Sequence, residues 1–380
     1  MTERWTVPGS EREALPGARV LGDADPAEEA SVTLRVRSRR TDLPPPGELS
    51  RQEFADTYGA DPADLSKVEA FARGQGLTVV ERSAARRSVI VRGTVAALNA
   101  AFGVTLQRCQ AAGVLYRGRV GSISLPADLT DVVEAVLGLD NRPQASPRLR
   151  VAGAAATPFT PLQVAQLYDF PSGVNGTGEC IAIVELGGGF SQADFAAYLS
   201  GLGITAKTVT VVSVDGAPTT PGQDTNADVE VMLDAEIVGA MAPAASIVIY
   251  FAPNTDQGFV DAVTTAVHDQ TNNPSVVSIS WGASESSWTQ QALQSLNSAI
   301  AAASSLAVSV CAASGDNGSS DGVSDGAPHV DFPASSPYAL GCGGTTLQGS
   351  GVTIASETTW ADSGGGVSDV FALPSWQSHA

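Results

Sequence analysis

The sequence predicts an α/β protein in two parts: a parallel sheet with flanking helices, preceded by a smaller α+β domain of ferredoxin-like build. Three observations carry this. From Thr160 onward, strand-like runs rich in Val, Ile and Ala alternate with helical stretches, as in a parallel sheet covered on both faces. Before residue 140 the elements read β-α-β-β-α-β, the order of a split βαβ domain. Charge divides near the same place. Residues 1–153 hold 20 of the 21 Lys and Arg and 19 of the 40 Asp and Glu, while residues 154–380 set Lys207 alone against 21 acids.

The chain has 380 residues, which at roughly 150 residues per domain suggests two or three domains. With 43% hydrophobic and 16% charged residues, global disorder is not expected. No apolar run approaches the roughly 20 residues of a membrane-spanning helix. Met1-Thr2-Glu3-Arg4-Trp5 lacks the basic-then-apolar build of a secretory signal. The net charge of −19 speaks against nucleic acid as a partner, because phosphate binding needs clustered cations. Cys109, Cys180, Cys311 and Cys342 show no CxxC metal spacing and no dense disulfide pattern. Cys180 and Cys311 lie in apolar runs and read as buried free thiols.

Residues 1–27 read as a loose arm. Ser31–Arg37 alternates like a half-buried strand, and Asp61-Pro62-Ala63 caps a helix running to about Gln75. Strands follow at Leu77–Val80 and Ser88–Val91, then a helix at Thr94–Phe102. Tyr116–Val120 and Ser122–Ser124 suggest a hairpin, and Asp128–Val136 a short helix. This places the first domain at 28–140 and a linker at 141–158, where Pro, Gly and Ala keep the chain extended and three arginines invite proteolysis. An ordinary tether is an equal reading of that composition. In 159–380, strands are expected at Cys180–Glu185, Val209–Val214, Ser246–Phe251, Val276–Trp281 and Leu306–Ala312. Helices are expected at Ala227–Met241, Asp256–Asp269 and Trp288–Ser304. Sites in such sheets gather at the carboxyl ends of strands, here Glu185-Leu186-Gly187, Ser280-Trp281-Gly282 and Ser314-Gly315-Asp316.

The helix around Asp228–Met241 is apolar nearly all round, which marks a buried helix. Glu230 and Asp234, at i and i+4, share one side of it. Adjacent buried carboxylates repel and lose hydration, so the last proton is held tightly. Asp316, directly after a strand, is placed to donate from a neutral carboxyl to a developing oxyanion, or simply to make a loop turn. Other patterns carry less. Gly322-Val323-Ser324-Asp325-Gly326 matches a nucleophile elbow but has no following helix. His268, His329 and His379 show no metal-ligand spacing. Gly187-Gly188-Gly189 is not a dinucleotide fingerprint. Asp321 and Asp325 are weak calcium-ligand candidates.

Several segments together resemble the sedolisins, the serine-carboxyl peptidases, and within them the kumamolisin branch. They are Phe159-Thr-Pro-Leu-Gln-Val-Ala-Gln-Leu-Tyr168, Ile183-Val-Glu-Leu-Gly-Gly-Gly189, Glu230-x-x-x-Asp234, Val277-Ser-Ile-Ser-Trp-Gly282, Ser314-Gly-Asp316, His329-Val-Asp-Phe-Pro333 and Gly364-Gly-Gly-Val-Ser368. Residues from about 30 to 140 resemble the activation prodomain of that family. The resemblance implies a subtilisin-like catalytic domain behind a ferredoxin-like prodomain, made as a zymogen, active at acid pH and usually exported. Glu230 would then be the general base, Asp234 its proton-sharing partner and Asp316 the oxyanion acid. Glu185 and Trp281 would extend the hydrogen-bond network. Asp331, with Gly282, is a candidate to line a substrate pocket and attract basic side chains, but it is equally placed to cap a turn, so the sequence does not give the substrate preference.

One departure shapes the expectation. The family's nucleophile lies in a Gly-Thr-Ser-x-x-x-Pro motif, followed by a calcium site. This sequence runs to Trp376-Gln-Ser-His-Ala380 without either, and its nearest string, Gly344-Thr345-Thr346, has no serine. The expected reading is an acid endopeptidase proenzyme whose nucleophile and calcium site are absent from this chain, with no metal or cofactor of its own. Its partners would be peptide substrates and its own prodomain, with no membrane and no nucleic acid. The second reading is a non-enzymatic remnant acting as a binding or inhibitory module.

Overall fold

The computed structural model describes residues 3–42, 46–47, 49–148 and 158–378. They divide into two compact units: residues 1–144 with 254–268 and 288–307, and residues 145–253 with 269–287 and 308–380.

In the first unit, β1 (Arg4–Thr6), β2 (Arg19–Asp23) and β3 (Glu29–Val36) lead into helices α1 (Arg51–Tyr58) and α2 (Pro62–Gly74). Next come β4 (Thr78–Ser83), β5 (Ser88–Thr94), α3 (Val95–Phe102), β6 (Gln107–Ala111), β7 (Val114–Gly118), β8 (Ser124–Pro126) and β9 (Val133–Leu137). The order β4-β5-β3-β9, all antiparallel, makes the ferredoxin-like sheet. Side chains on one face of it alternate inward: Val32, Leu34 and Val36 of β3 meet Val89 and Val91 of β5, and Leu65, Val68 and Leu98 close the core from the helices. Asp61 caps α2 and Thr94 caps α3 with side-chain oxygens, and Gly103 ends α3 in the left-handed region, a conformation glycine adopts without strain.

Three expectations fail here. The first residues are not a loose arm: β1 pairs with β8, β2 with β6, and Val7 and Arg12 are buried. Asp128–Val136 is not a helix but a single 3-10 turn followed by β9, because Val133, Ala135 and Val136 are needed against β3. The hairpin is β6–β7 around Ala112-Gly113, not one from Tyr116 to Ser124. Helix α1, with a Ser50/Glu53 capping box, went unpredicted.

Two helices from later in the chain belong to this unit, residues 256–268 and 290–305. They meet the ferredoxin-like sheet through polar groups. Thr33 Oγ1 donates to Asp261 at 2.6 Å, the Gly138 N–H donates to Asp256 at 3.2 Å, and the Gln291 amide pairs with both backbone groups of Val136.

In the second unit β10 (Ser146–Pro147) precedes α4 (Pro161–Leu167), β11 (Cys180–Glu185), α5 (Gln192–Gly201), β12 (Thr210–Ser213), α6 (Thr225–Met241) and β13 (Ser246–Phe251). After α7 (Asp256–His268) come β14 (Val276–Ile279) and β15 (Trp281–Ser284). After α8 (Gln290–Ser305) come β16 (Ser309–Ala313), β17 (Asp331–Phe332), β18 (Leu340–Cys342), β19 (Thr345–Ser350) and β20 (Thr353–Thr359). The parallel sheet runs β12-β13-β11-β14-β16-β18. The chain leaves β11 toward one edge and returns at β14 toward the other, so the crevice between their carboxyl ends is the topological switch point. Val184 pairs with Ile279 across that crevice, which sets Glu185 and Ser280 at its mouth. The expected strand to Trp281 divides at Ser280, where β15 turns off to pair with β10 and β17.

Helix α6 is not buried all round. Glu230, Val231 and Ala235 are covered, while Val229, Leu233 and Ile237 are 45%, 36% and 42% exposed. Among the described residues no helix is long and apolar enough to cross a membrane.

Candidate active site

At the switch point the carboxylates of β11 and α6 come together. Asp224 caps α6 by accepting from the Asn226 and Ala227 N–H groups, and this fixes the start of the helix that carries Glu230 and Asp234. The Gly187–Gly189 turn fits against that start because it has no side chains. A Cβ on Gly188 would stand 2.5 Å from the Ala227 carbonyl carbon, and one on Gly189 would stand 2.1 Å from Thr220.

Within the cluster Ser280 Oγ donates to Asp234 Oδ2 at 2.7 Å, and Trp281 Nε1 donates to Glu185 Oε2 at 2.8 Å. Glu185 Oε1 and Glu230 Oε2 are buried without a hydrogen-bond partner. Burial pushes Glu230 up to about 8, and the charges of Asp234 and Asp316 add to it. Burial raises Asp234 to about 6 against the pull of the Ser280 hydroxyl. Glu185 is driven well above the usual carboxylate range by burial and then by Asp234, with the Trp281 N–H opposing. Desolvation and like charge thus make a cluster that holds protons.

Asp316 follows β16 in a loop pinned from both sides. The Ser314 N–H donates to Cys342, Ser314 Oγ donates to the Gly364 carbonyl at 3.0 Å, and the Gly364 N–H returns to Gly315 at 2.8 Å. A Cβ on Gly364 would lie 1.9 Å from the Ser314 carbonyl oxygen, so this glycine is required for the approach.

Beside the cluster the linker lies in a cleft of about 370 Å³ bordered by Gly282, Ser284, Asp316 and Asp321. Ser146 and Pro147 pair antiparallel with Gly282 and Trp281, and the Arg148 N–H donates to the Ser280 carbonyl at 2.8 Å. The Arg148 guanidinium is buried on Asp331, with Asp321 Oδ1 at 3.5 Å. Gly282 opens the way to this floor: a Cβ there would be 2.0 Å from Asp331 Oδ1. Burial raises both acids against the attraction of Arg148, and Asp331, with Asp321 beside it, reaches about 8. One guanidinium facing two acids that share a proton is a neutral arrangement, the cheapest for a buried site.

The structure therefore brings Glu185, Glu230, Asp234, Trp281 and Asp316 to one crevice, with Asp331 and Gly282 in the adjoining cleft. Sequence reasoning missed the roles of Ser280 and Arg148, and weighed Asp321 only as a weak calcium-ligand candidate. Ser280 ends the strand that points at the crevice, the one signal that marked it. Of the discounted patterns, Gly322 and Val323 of the elbow-like string border the cleft. His268 packs at a tilt against Phe54 in the first unit and is held neutral by burial, its pKa lowered to about 3. His329 pairs with Asp325, and Ser324 lies in irregular chain with no helix after it. His379 lies outside the described residues, as do 149–157 of the expected linker. Among the described residues no group of three or more His, Cys, Asp or Glu is placed to hold a metal ion.

Comparison with known proteins gives the family. Residues 47–142 match the family described as Pro-kumamolisin, activation domain. The whole chain aligns with kumamolisin from Bacillus sp. (strain MN-32) at 44% identity, covering 74% of that protein. Sedolisin from Pseudomonas sp. (strain 101) is 26% identical over 87% of this chain and 61% of its own length. The solved structure of Pseudomonas sedolisin, a serine-carboxyl proteinase complexed with pseudo-iodotyrostatin, superposes with a TM-score of 0.51 at 26% identity. It covers 59% of this chain and 67% of that one. The chain belongs to the sedolisin family of serine-carboxyl peptidases, as a kumamolisin-like proenzyme that carries its activation domain.

Proposed function

We propose that this chain is the latent form of an acid-acting endopeptidase that cleaves after basic residues, and that the Arg148–Leu149 bond of its own linker is the first substrate. Glu230 takes the proton of a nucleophilic serine, Asp234 shares that proton, and the carboxyl of Asp316, when protonated, donates to the oxyanion, a triad logic with Glu in place of His. Trp281 and Ser280 hold Glu185 and Asp234 in register. The serine itself lies outside these 380 residues. Export to an acidic extracellular setting, and a calcium site in polypeptide beyond this stretch, follow from the family resemblance.

One observation carries the reading: Arg148 lies in the cleft as an added strand, its N–H on the Ser280 carbonyl and its guanidinium on Asp331. Main-chain pairing with a pocket for one side chain is the way extended peptides are recognised. It also explains latency. Beneath the linker, Glu230 and Asp234 are desolvated and hold protons up to about 8 and about 6, and a base that already carries a proton accepts no other. Departure of the linker lets water in and lowers both.

The test compares this chain with a longer one extended through a Gly-Thr-Ser-x-x-x-Pro segment, both at about pH 4. The extended chain should yield a new N-terminus at Leu149, and Glu230→Gln should abolish it. This chain alone should yield none. Self-cleavage by the 380-residue chain, or an active Glu230→Gln variant, overturns the proposal. If the extended chain binds Arg-containing peptides without turnover, the binding-module reading replaces it.

A further inference from the structure

Glu285 follows β15 directly and is only 6% exposed, yet the chemistry described above gives it no step. Its carboxylate is met by donors from two stretches of chain far along the sequence. Ser335 Oγ and Ser368 Oγ both donate to Oε1 at 2.6 Å, and the Asp369 N–H donates to Oε2 at 3.2 Å. A buried carboxylate needs such donors, and here satisfying it joins two loops.

Both loops bear on Asp331. Asp331 and Phe332 pair with Ser284 and Ala283, and the Glu285 N–H donates to the Val330 carbonyl at 3.1 Å. The Ser335 N–H closes a turn on the Asp331 carbonyl at 3.0 Å. From the second loop, Ser368 Oγ accepts from the Val370 and Phe371 N–H groups at 3.1 and 2.8 Å, and the Phe371 ring stacks on Phe332 with centroids 5.7 Å apart. A cavity of about 460 Å³ borders both loops, its lining including Asp331, Ser335, Gly364, Ser368 and Phe371. Chain beside an open volume has few packing contacts to fix it, so its position rests on ties of this kind.

We infer that Glu285 is a positioning residue for the pocket that takes a basic side chain: it clamps the Asp331–Ser335 turn to the Ser368–Phe371 segment and so aims Asp331 at the guanidinium. The inference rests on the reading of Arg148 as a seated substrate side chain. A misplacement of about 1 Å at a positioned group can cost about a hundredfold, so a carboxylate behind the pocket can decide which side chain the pocket accepts.

The 380-residue chain is digested with trypsin at neutral pH, and the appearance of an N-terminus at Leu149 is timed. The parent should resist, because its Arg148 guanidinium is buried on Asp331. Glu285→Ala should speed this cut about ten- to hundredfold, the effect of losing hydrogen bonds to a buried carboxylate. Ser335→Ala combined with Ser368→Ala should do the same, and keeps the test open if Glu285→Ala fails to fold. Glu285→Gln retains an acceptor for both hydroxyls and should restore most of the protection. A second comparison separates aiming from general stabilisation. Asp331→Asn should also speed the cut, and either clamp variant added to it should speed it no further, because residues acting through one contact are not additive. Additive effects, or full protection in the clamp variants, overturn the inference and leave the Arg148 seat standing. Ready cleavage after Arg148 in the parent overturns the seat, and this inference with it.

Discussion

The hydroxyl of Ser280 donates to the carboxylate of Asp234 at 2.7 Å, and it alone opposes the burial that raises that acid to about 6. Ser280→Ala should therefore move the Asp234 titration upward. Above pH 7, where Asp234 is ionised, the variant should lose about 1.5–3 kcal/mol, as for a hydrogen bond to a charged group. Below pH 5, where the acid is neutral, it should lose less. Carboxyl-selective NMR and urea unfolding at the two pH values measure both effects. An unmoved Asp234 would show that the bond contributes nothing to its protonation.

The cluster also sets how stability depends on pH. Glu230 and Asp234 have folded pKa values raised above their unfolded ones. A raised acid binds its proton more tightly when folded, so its contribution is complete below about pH 4 and is lost as pH rises through about 6 and about 8. The chain should melt at a higher temperature at pH 5 than at pH 8.5. Glu230→Gln, which fixes a neutral side chain in place, should flatten the upper part of that profile. Calorimetry across the range decides it, and a melting temperature that climbs steadily toward pH 8.5 would contradict the assignment.

The parts legible in the sequence were those written in local pattern. Apolar runs gave β11, β13 and the ferredoxin-like order, and the i,i+4 spacing put Glu230 and Asp234 on one face. What escaped depends on distant partners. Val133–Leu137 has the composition of a short helix, and only the need to pair with β3 makes it a strand. Arg4–Thr6 and Arg19–Asp23 are strands because β8 and β6 offer free edges. Arg148 was read as one arginine of a cleavable linker, because nothing near it in sequence announces Asp321 and Asp331, more than 170 residues on.

The Arg148 seat predicts its own pH signature. Arg148→Ala leaves Asp321 and Asp331 buried without their cation, and removing one partner of a buried pair costs about 3–5 kcal/mol. The acids can escape part of that cost by taking a second proton, so the loss should be larger at pH 8 than at pH 5. Arg148→Lys should recover only part, since an ammonium is a point charge and not a planar fork. Adding Asp331→Asn to Arg148→Ala should recover stability at pH 8. Equal losses at both pH values would show that the cost is packing and not charge.

Gly282 separates specificity from catalysis. Its missing side chain is what lets Arg148 reach the floor of the cleft, for a Cβ would overlap Asp331 Oδ1 at 2.0 Å. The neighbouring Trp281 N–H to Glu185 bond lies on the other side of the strand. Gly282→Ala should thus displace Asp331 and expel the arginine, yet leave the protonation of the Glu185, Glu230 and Asp234 cluster as it was. Two readouts distinguish the effects. Trypsin should cut after Arg148 faster in the variant, because the seated arginine is buried in the parent. The carboxyl titrations of Glu230 and Asp234, followed in the same sample before digestion, should stay in place. If the titrations move together with trypsin sensitivity, cleft and cluster are one unit, and a side chain in the pocket would be felt directly at the catalytic carboxylates.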